Sequence, residues 1–252
     1  MNPILQLDGI CKSFGGVSTA KDVSFTLEQG AVYGLIGPNG AGKTTMMNMI
    51  SGIYTPDAGK IFFEGKDITQ VPAYKRARMG IGRTFQTPRF LYRSSIRDNL
   101  LVGTDLANQM GYWNSFRGKK GADFDQELQE LLEVARLKLD WDEDIQAVPF
   151  GKRKLLEIVR SMLAHPKVML VDEPAAGLNN KEIEYAMDLL NLAAKKRNIG
   201  VLLIEHSMDM DICRRIVVLC FGEVLACGTP AEISSNPKVI EAYLGGDLNA
   251  EN

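Results

Sequence analysis

The sequence predicts an α/β protein, a largely parallel sheet carrying helices, with an antiparallel β subdomain on one flank and a helical subdomain let into the chain. Three observations predict it. Nearly unbroken apolar runs at residues 31–36, 168–171, 201–204 and 216–219 have the texture of parallel strands buried on both faces. Between them, Leu155, Ile158, Val159, Met162 and Leu163 fall on one helical face, as do Ile183, Met187, Leu190 and Ala194. A glycine-rich segment stands directly after the first apolar run and before a helical one.

Taken in chain order, residues 4–12 and 22–28 read as strands, the second alternating Val23, Phe25 and Leu27 against polar neighbours, and residues 60–63 add another after the Pro56-Asp57 turn. They predict an antiparallel sheet beside the glycine-rich segment. From 87 to 163 helical periodicity dominates, with Leu128, Leu131, Leu132 and Ala135 on one face and no convincing strand. Residues 103–125 break that period and read as a surface insertion. Near the end, Thr229-Pro230-Ala231-Glu232 is a capping box with proline at the first helical position, and Asn236-Pro237 opens a further helix, so order extends to about Leu244. The expected division is a core of residues 1–86 and 164–252, including the antiparallel subdomain, and a helical subdomain of 87–163.

Composition narrows the function. With 252 residues, 45% of them hydrophobic and 24% charged, the chain is ordinary globular protein, and a net charge of −2 lacks the basic footprint of nucleic-acid binding. Cys11, Cys213, Cys220 and Cys227 lie in or beside apolar runs without metal or redox spacing, and read as reduced core thiols. There is no leader-like N-terminus and no apolar run of the roughly 20 residues a membrane span needs. A cytosolic chain, or one held at a membrane through partners, is expected.

Gly37-Pro38-Asn39-Gly40-Ala41-Gly42-Lys43-Thr44-Thr45 matches the P-loop pattern in its required strand–loop–helix setting. The glycines allow backbone N–H groups to curl round a β-phosphate, with the helix N-terminus aimed at the same anion. Lys43 would neutralise the β- and γ-phosphates and Thr44 would offer a hydroxyl to Mg²⁺. The run 168–171 ends in Asp172 and Glu173, two adjacent carboxylates that suit one group holding Mg²⁺ and one polarising a water. The cofactors expected are therefore ATP and Mg²⁺.

In this order the motifs resemble those of the ABC transporter ATPases, a P-loop NTPase family, over nearly the whole chain. Phe14 resembles the aromatic that stacks on adenine, Gln86 in Arg83-Thr84-Phe85-Gln86 the Q-loop glutamine, Ala175-Ala176-Gly177-Leu178-Asn179 the D-loop, and His206 the switch histidine. The resemblance implies that Gln86 senses Mg²⁺ and the water, that Glu173 is the general base, and that His206 contacts the γ-phosphate. It also implies a dimer, since one P-loop is present and each site is completed by a second ATPase. Transmembrane permease subunits would seat a helix near Thr87-Pro88-Arg89-Phe90-Leu91-Tyr92 at the cytoplasmic face of the membrane, with a solute-binding protein engaged indirectly. The C-terminal residues Pro230-Ala231-Glu232-Ile233, Asn236-Pro237 and Ala242-Tyr243-Leu244-Gly245 resemble the subfamily that energises uptake of branched-chain amino acids and similar solutes.

One motif departs. The family's Leu-Ser-Gly-Gly-Gln signature aligns with Val148-Pro149-Phe150-Gly151-Lys152, where Gly151 alone is kept. Pro149 offers neither hydroxyl nor N–H to a partner's γ-phosphate. Lys152, Arg153 and Lys154 then crowd a helix start, either as solvated residues or as counter-charges to a facing phosphate. The expectation is a heterodimer with two unequal sites, a homodimer being the other possible pairing; a non-catalytic ATP-binding partner and an exporter ATPase are the alternatives in function.

Overall fold

The computed structural model describes residues 3–108, 121–141, 143–205 and 211–247. The chain opens with β1 (Leu5–Phe14) and β2 (Val17–Leu27), an antiparallel hairpin that turns at Gly15 and Gly16, both at positive φ. β2 starts at Val17, ahead of the expected residue 22, because its first half is held by backbone pairing to β1 and not by an apolar face. Next come β3 (Val32–Ile36), α1 (Lys43–Ile50), β4 (Ala58–Phe63), β5 (Lys66–Asp67), α2 (Ala73–Met79) and β6 (Ile81–Arg83). Helices α3 (Ile96–Asn108), α4 (Gly121–Val134) and α5 (Phe150–Leu163) follow, with no strand between them among the described residues. The chain then runs through β7 (Val168–Asp172), α6 (Asn180–Lys195), β8 (Gly200–Ile204), β9 (Arg215–Cys220), β10 (Glu223–Gly228), α7 (Pro230–Ser234) and α8 (Pro237–Asp247).

The strands form a six-stranded sheet in the order β10-β9-β3-β8-β7-β6, parallel except for β10, and a four-stranded antiparallel sheet in the order β2-β1-β4-β5. The uninterrupted apolar runs are explained by two cores, one on each face of the large sheet. Val32, Met169, Val201 and Ile216 face the helices, while Tyr33, Leu170, Leu202 and Val217 face α1 and the antiparallel sheet. Period-two alternation is present, but both faces are dry.

Several local expectations are corrected. Residues 103–108 and 121–125 of the expected insertion are helical, in α3 and α4, and residues 109–120 lie outside the described ones. α8 continues past Leu244 to Asp247. Of the cysteines, Cys213 is a core thiol, pushed up to about 12 by burial, but Cys11 on β1 and Cys220 at the end of β9 are half-buried, and Cys227 is exposed on the edge strand β10.

Arg76 went unnoticed in the sequence. It is fully buried beneath the C-terminus of α1, donating Nη1 to the carbonyls of Met49 and Ile50 (2.7 and 2.9 Å), Nη2 to Thr69 (2.9 Å) and Nε to Val71 (2.7 Å). A cation is favourable at the negative end of a helix, and this one adds a donor to the Ile50 carbonyl and a second one to the Met49 carbonyl, which the Gly52 N–H also reaches at 3.1 Å. Burial lowers its guanidinium to about 10, opposed by Asp67. Among the described residues no helix is long and apolar enough to cross a membrane.

Candidate nucleotide site

β3 delivers the chain into the glycine-rich loop and α1 carries it away. Gly37 adopts φ +152°, and a β-carbon there would lie 2.1 Å from the carbonyl oxygen of Leu219 on β9, so only glycine lets the loop leave the sheet. The β1–β2 hairpin closes on the other side, since a β-carbon at Gly42 would meet the Thr19 carbonyl at 2.3 Å. The start of α1 has no side-chain cap and no acidic residue in its first turn. Its open N–H groups and positive dipole end are the donors an anion requires.

Lys43 is buried under the loop, its Nζ donating to the carbonyls of Gly37 (2.6 Å) and Pro38 (3.1 Å). Burial lowers its pKa, and the carboxylates of Glu173 and Asp172 counter that. Asn39, Gly40 and Thr44 are exposed, Thr45 is half-buried and Ala41 is buried. The loop thus offers an open backbone cradle floored by one ammonium group, which fits a polyphosphate.

Asp172 closes β7, nearly buried, and burial pushes its carboxyl upward while Arg83 pulls it down. Arg83 Nη2 lies 3.3 Å from Asp172 Oδ2, and Nη1 donates to Asn48 (2.6 Å) and Ser51 (3.1 Å) on and after α1. Glu173, one residue on, has φ +46°, left-handed for a side-chain-bearing residue, with its N–H donating to the Ile204 carbonyl at 3.0 Å. Gln86 Nε2 donates to Glu173 Oε2 at 2.7 Å. The fold thus gathers Lys43, Asp172, Glu173 and Gln86, and the donor set of Thr44, Gln86 and Asp172 is all oxygen-bearing, as Mg²⁺ prefers. His206 lies outside the described residues; Glu205 before it accepts from the Ala175 N–H at 2.9 Å.

Phe14 ends β1, half exposed, its ring edge-on to Tyr54 at 5.1 Å with Lys12 Nζ 5.3 Å from its centre. Tyr54 carried no motif that marked it. The stretch 87–92 divides: Phe90 is buried beneath Arg160, whereas Leu91 and Tyr92 are 54% and 52% exposed.

The signature region is α5's start. Pro149 is its exposed N-cap, with no side-chain cap. Gly151 is buried, and a β-carbon on it would stand 2.2 Å from Glu182 Oε1, the carboxylate that closes the Asn179 capping box of α6. The three following cations do not act as one group, because successive helical positions point about 100° apart. Lys152 is exposed, Arg153 is half-buried, and Lys154 turns inward, donating Nζ to the carbonyls of Glu173 and Ala176, both at 2.7 Å. Lys154 is thereby neither solvated nor turned outward to face a phosphate, correcting both sequence readings of it.

A P-loop after β3 of a parallel sheet, with two carboxylates at the end of β7, separated from β3 by β8, defines a P-loop NTPase. A profile of the ABC transporter family matches residues 20–176, and one described as branched-chain amino acid ATP-binding cassette transporter matches 223–248. A probable branched-chain amino acid transport ATP-binding protein, LivG of Archaeoglobus fulgidus, is 38% identical over 251 residues, covering 96% of this chain and 95% of the relative. The high-affinity branched-chain amino acid transport ATP-binding protein BraF of Pseudomonas aeruginosa is 38% identical over 255 residues, covering 96% and 98%. A solved ATP-binding cassette of an ABC transporter in its ADP conformation superposes with a TM-score of 0.82 at 32% identity, covering 97% of this chain and all of the other. The chain belongs to the ABC transporter ATP-binding family, as an ATPase subunit of the branched-chain amino acid type.

Proposed function

We propose that this chain energises a membrane permease for branched-chain amino acids or similar solutes, from the cytoplasmic face, as one half of an ATPase heterodimer with two unequal sites. The observation that carries the catalytic part is the 2.7 Å hydrogen bond from Gln86 to Glu173 beside the P-loop. In this reading the N–H groups of residues 37–45 and Lys43 hold the ATP phosphates, and Phe14 packs on the base. Thr44, Gln86 and Asp172 hold Mg²⁺, which supplies charge neutralisation on the phosphate oxygens. Glu173 accepts the proton of the attacking water, Gln86 aligns it, and His206 steadies the γ-phosphate. Gly151 belongs to the loop offered to a partner's nucleotide. The exposed Leu91 and Tyr92 form the contact for the permease, and residues 87–163 move as a helical subdomain against the core of 1–86 and 164–252.

Support for unequal sites comes from Pro149, which presents no hydroxyl and no N–H at the start of α5. Loss of one charge-assisted hydrogen bond weakens a nucleotide site by roughly 1.5–3 kcal/mol, about ten- to a hundredfold or more in affinity. The test is Mg-ATP hydrolysis by the purified chain alone, with ATP binding measured in parallel and Glu173→Gln as control. Binding without turnover, with turnover appearing on addition of a second ATPase of the same family that carries an intact signature, supports the heterodimer. Turnover by the chain alone that vanishes in Glu173→Gln sinks unequal pairing. Leucine uptake by proteoliposomes carrying the reconstituted transporter tests the solute class.

A further inference from the structure

We propose that Lys154 is a positioning residue for hydrolysis, locking the Glu173 backbone in the left-handed conformation from which its carboxylate meets Gln86. This rests on the reading of Glu173 as general base.

Glu173 holds φ +46°. A residue with a β-carbon occupies that region only where its surroundings over-determine it, and such strain gathers at functional positions. Besides the Ala175 N–H bond to Glu205, three ties bear on the Glu173 end of the turn after β7. The Glu173 N–H donates to Ile204 on β8, and the Ala176 N–H reaches back to the Glu173 carbonyl at a long 3.3 Å. The third tie is the shortest: Lys154 Nζ bridges the carbonyls of Glu173 and Ala176, 2.7 Å to each, from one end of the turn to the other.

Lys154 is 4% exposed, on a buried helix face it shares with Leu155, Ile158, Val159 and the carboxyl-bearing Glu157. An interior ammonium is costly, and burial lowers its pKa, with Glu205, Glu173, Glu157 and Asp172 opposing. A leucine would fill such a position at less cost if packing were all the position required. What the ammonium adds is two charge-assisted bonds to carbonyls that the turn leaves pointing inward. The contact also reaches the signature region. Lys154 lies three residues after Gly151, its Nζ is 5.6 Å from the centre of the Phe150 ring, and a β-carbon at Gly177 would touch that ring at 3.0 Å. The start of α5 is therefore fastened to the turn 173–177, and a shift of that start is felt at the Glu173 carbonyl.

The test compares Lys154→Met and Lys154→Arg, each alone and combined with Glu173→Gln, in the full chain assembled with the subunits that support its turnover. The readouts are kcat, KM for ATP, ATP affinity and the thermal midpoint. Lys154→Met is expected to lower kcat ten- to a hundredfold with KM and ATP affinity within twofold, and Lys154→Arg to recover most of the rate. The Met variant in the Glu173→Gln background is expected to be no slower than Glu173→Gln alone. If the Met chain does not fold, Lys154→Gln, with a shorter neutral donor, is expected to show a several-fold kcat loss at constant KM. Unchanged kcat, loss of ATP affinity in step with kcat, or an additive double variant each overturns the proposal. Turnover surviving in Glu173→Gln would remove the general-base reading, and this proposal with it.

Discussion

Gln86 and Glu173 meet across 2.7 Å although 87 positions separate them. β6 and β7 are adjacent parallel strands, with Arg83 opposite Leu170, so the residues just beyond their C-terminal ends emerge side by side. Ligand chemistry at the C-terminal edge of a parallel sheet follows from that geometry. The amide is the donor and the carboxylate the acceptor.

Gln86→Ala removes the donor without adding charge. Expected is a fall in kcat of about tenfold to a hundredfold, the scale of one oriented polar contact to a reacting group, with little change in ATP affinity. Steady-state hydrolysis beside equilibrium ATP binding separates the two. Equal loss of both would show that Gln86 supports binding instead.

Pro149→Ser restores a side-chain cap to α5, which lacks one. A serine N-cap is worth about 0.5–2 kcal/mol, so the thermal midpoint should rise by several degrees at most. Under the unequal-site reading, ATP affinity of the assembled dimer's weaker site should also rise about tenfold or more. A midpoint that rises while nucleotide affinity stays constant would leave the cap and reject the phosphate role.

Arg76→Met breaks the hydrogen bonds that close α1 and leaves the carbonyls of Met49, Ile50, Thr69 and Val71 without this donor. Expected is a loss of about 3 kcal/mol in urea unfolding, from stranded buried acceptors and the lost helix-end cation. A loss below about 1 kcal/mol would mean that water reaches those carbonyls.

Glu157 gives a pH test. It is buried on α5, accepting from the Phe85 N–H at 3.2 Å with Arg160 at 3.6 Å, and burial pushes its carboxyl up to about 7 against the pull of both. The folded value lies above the unfolded one, so its contribution is fully present below about 4.5 and is lost as pH rises through 7. Glu157→Gln does not titrate, so it should gain on the wild type by up to about 3 kcal/mol between pH 4.5 and 8 in denaturant unfolding. A difference independent of pH would mean that Glu157 stays ionised throughout.

The features legible from sequence were those whose cause is local. The buried strands β3, β7, β8 and β9 announced themselves because apolar side chains must cover both faces of a central sheet. The phosphate loop was legible because its glycines answer a backbone requirement, as at Gly37, and the Thr229 capping box because its partners stand three residues apart. β5, β6, β10 and α2 passed unnoticed; they are short or lie at an edge, held by neighbours that no window of sequence contains.

By itself, then, the sequence determined the α/β class, the P-loop motif and the family. Tertiary structure alone decided where the charges go. Lys152, Arg153 and Lys154 are one basic run in the sequence, yet helical rotation and the packing of α5 send Lys154 to two carbonyls beside Glu173 and leave Lys152 in water. Arg83 joins Asp172, and Arg76 closes α1, across separations that no sequence spacing encodes. The reason is physical: periodicity and turn chemistry act over a few residues, whereas a buried charge is placed by which distant carbonyls or carboxylates the fold brings within about 3 Å to offset its lost hydration.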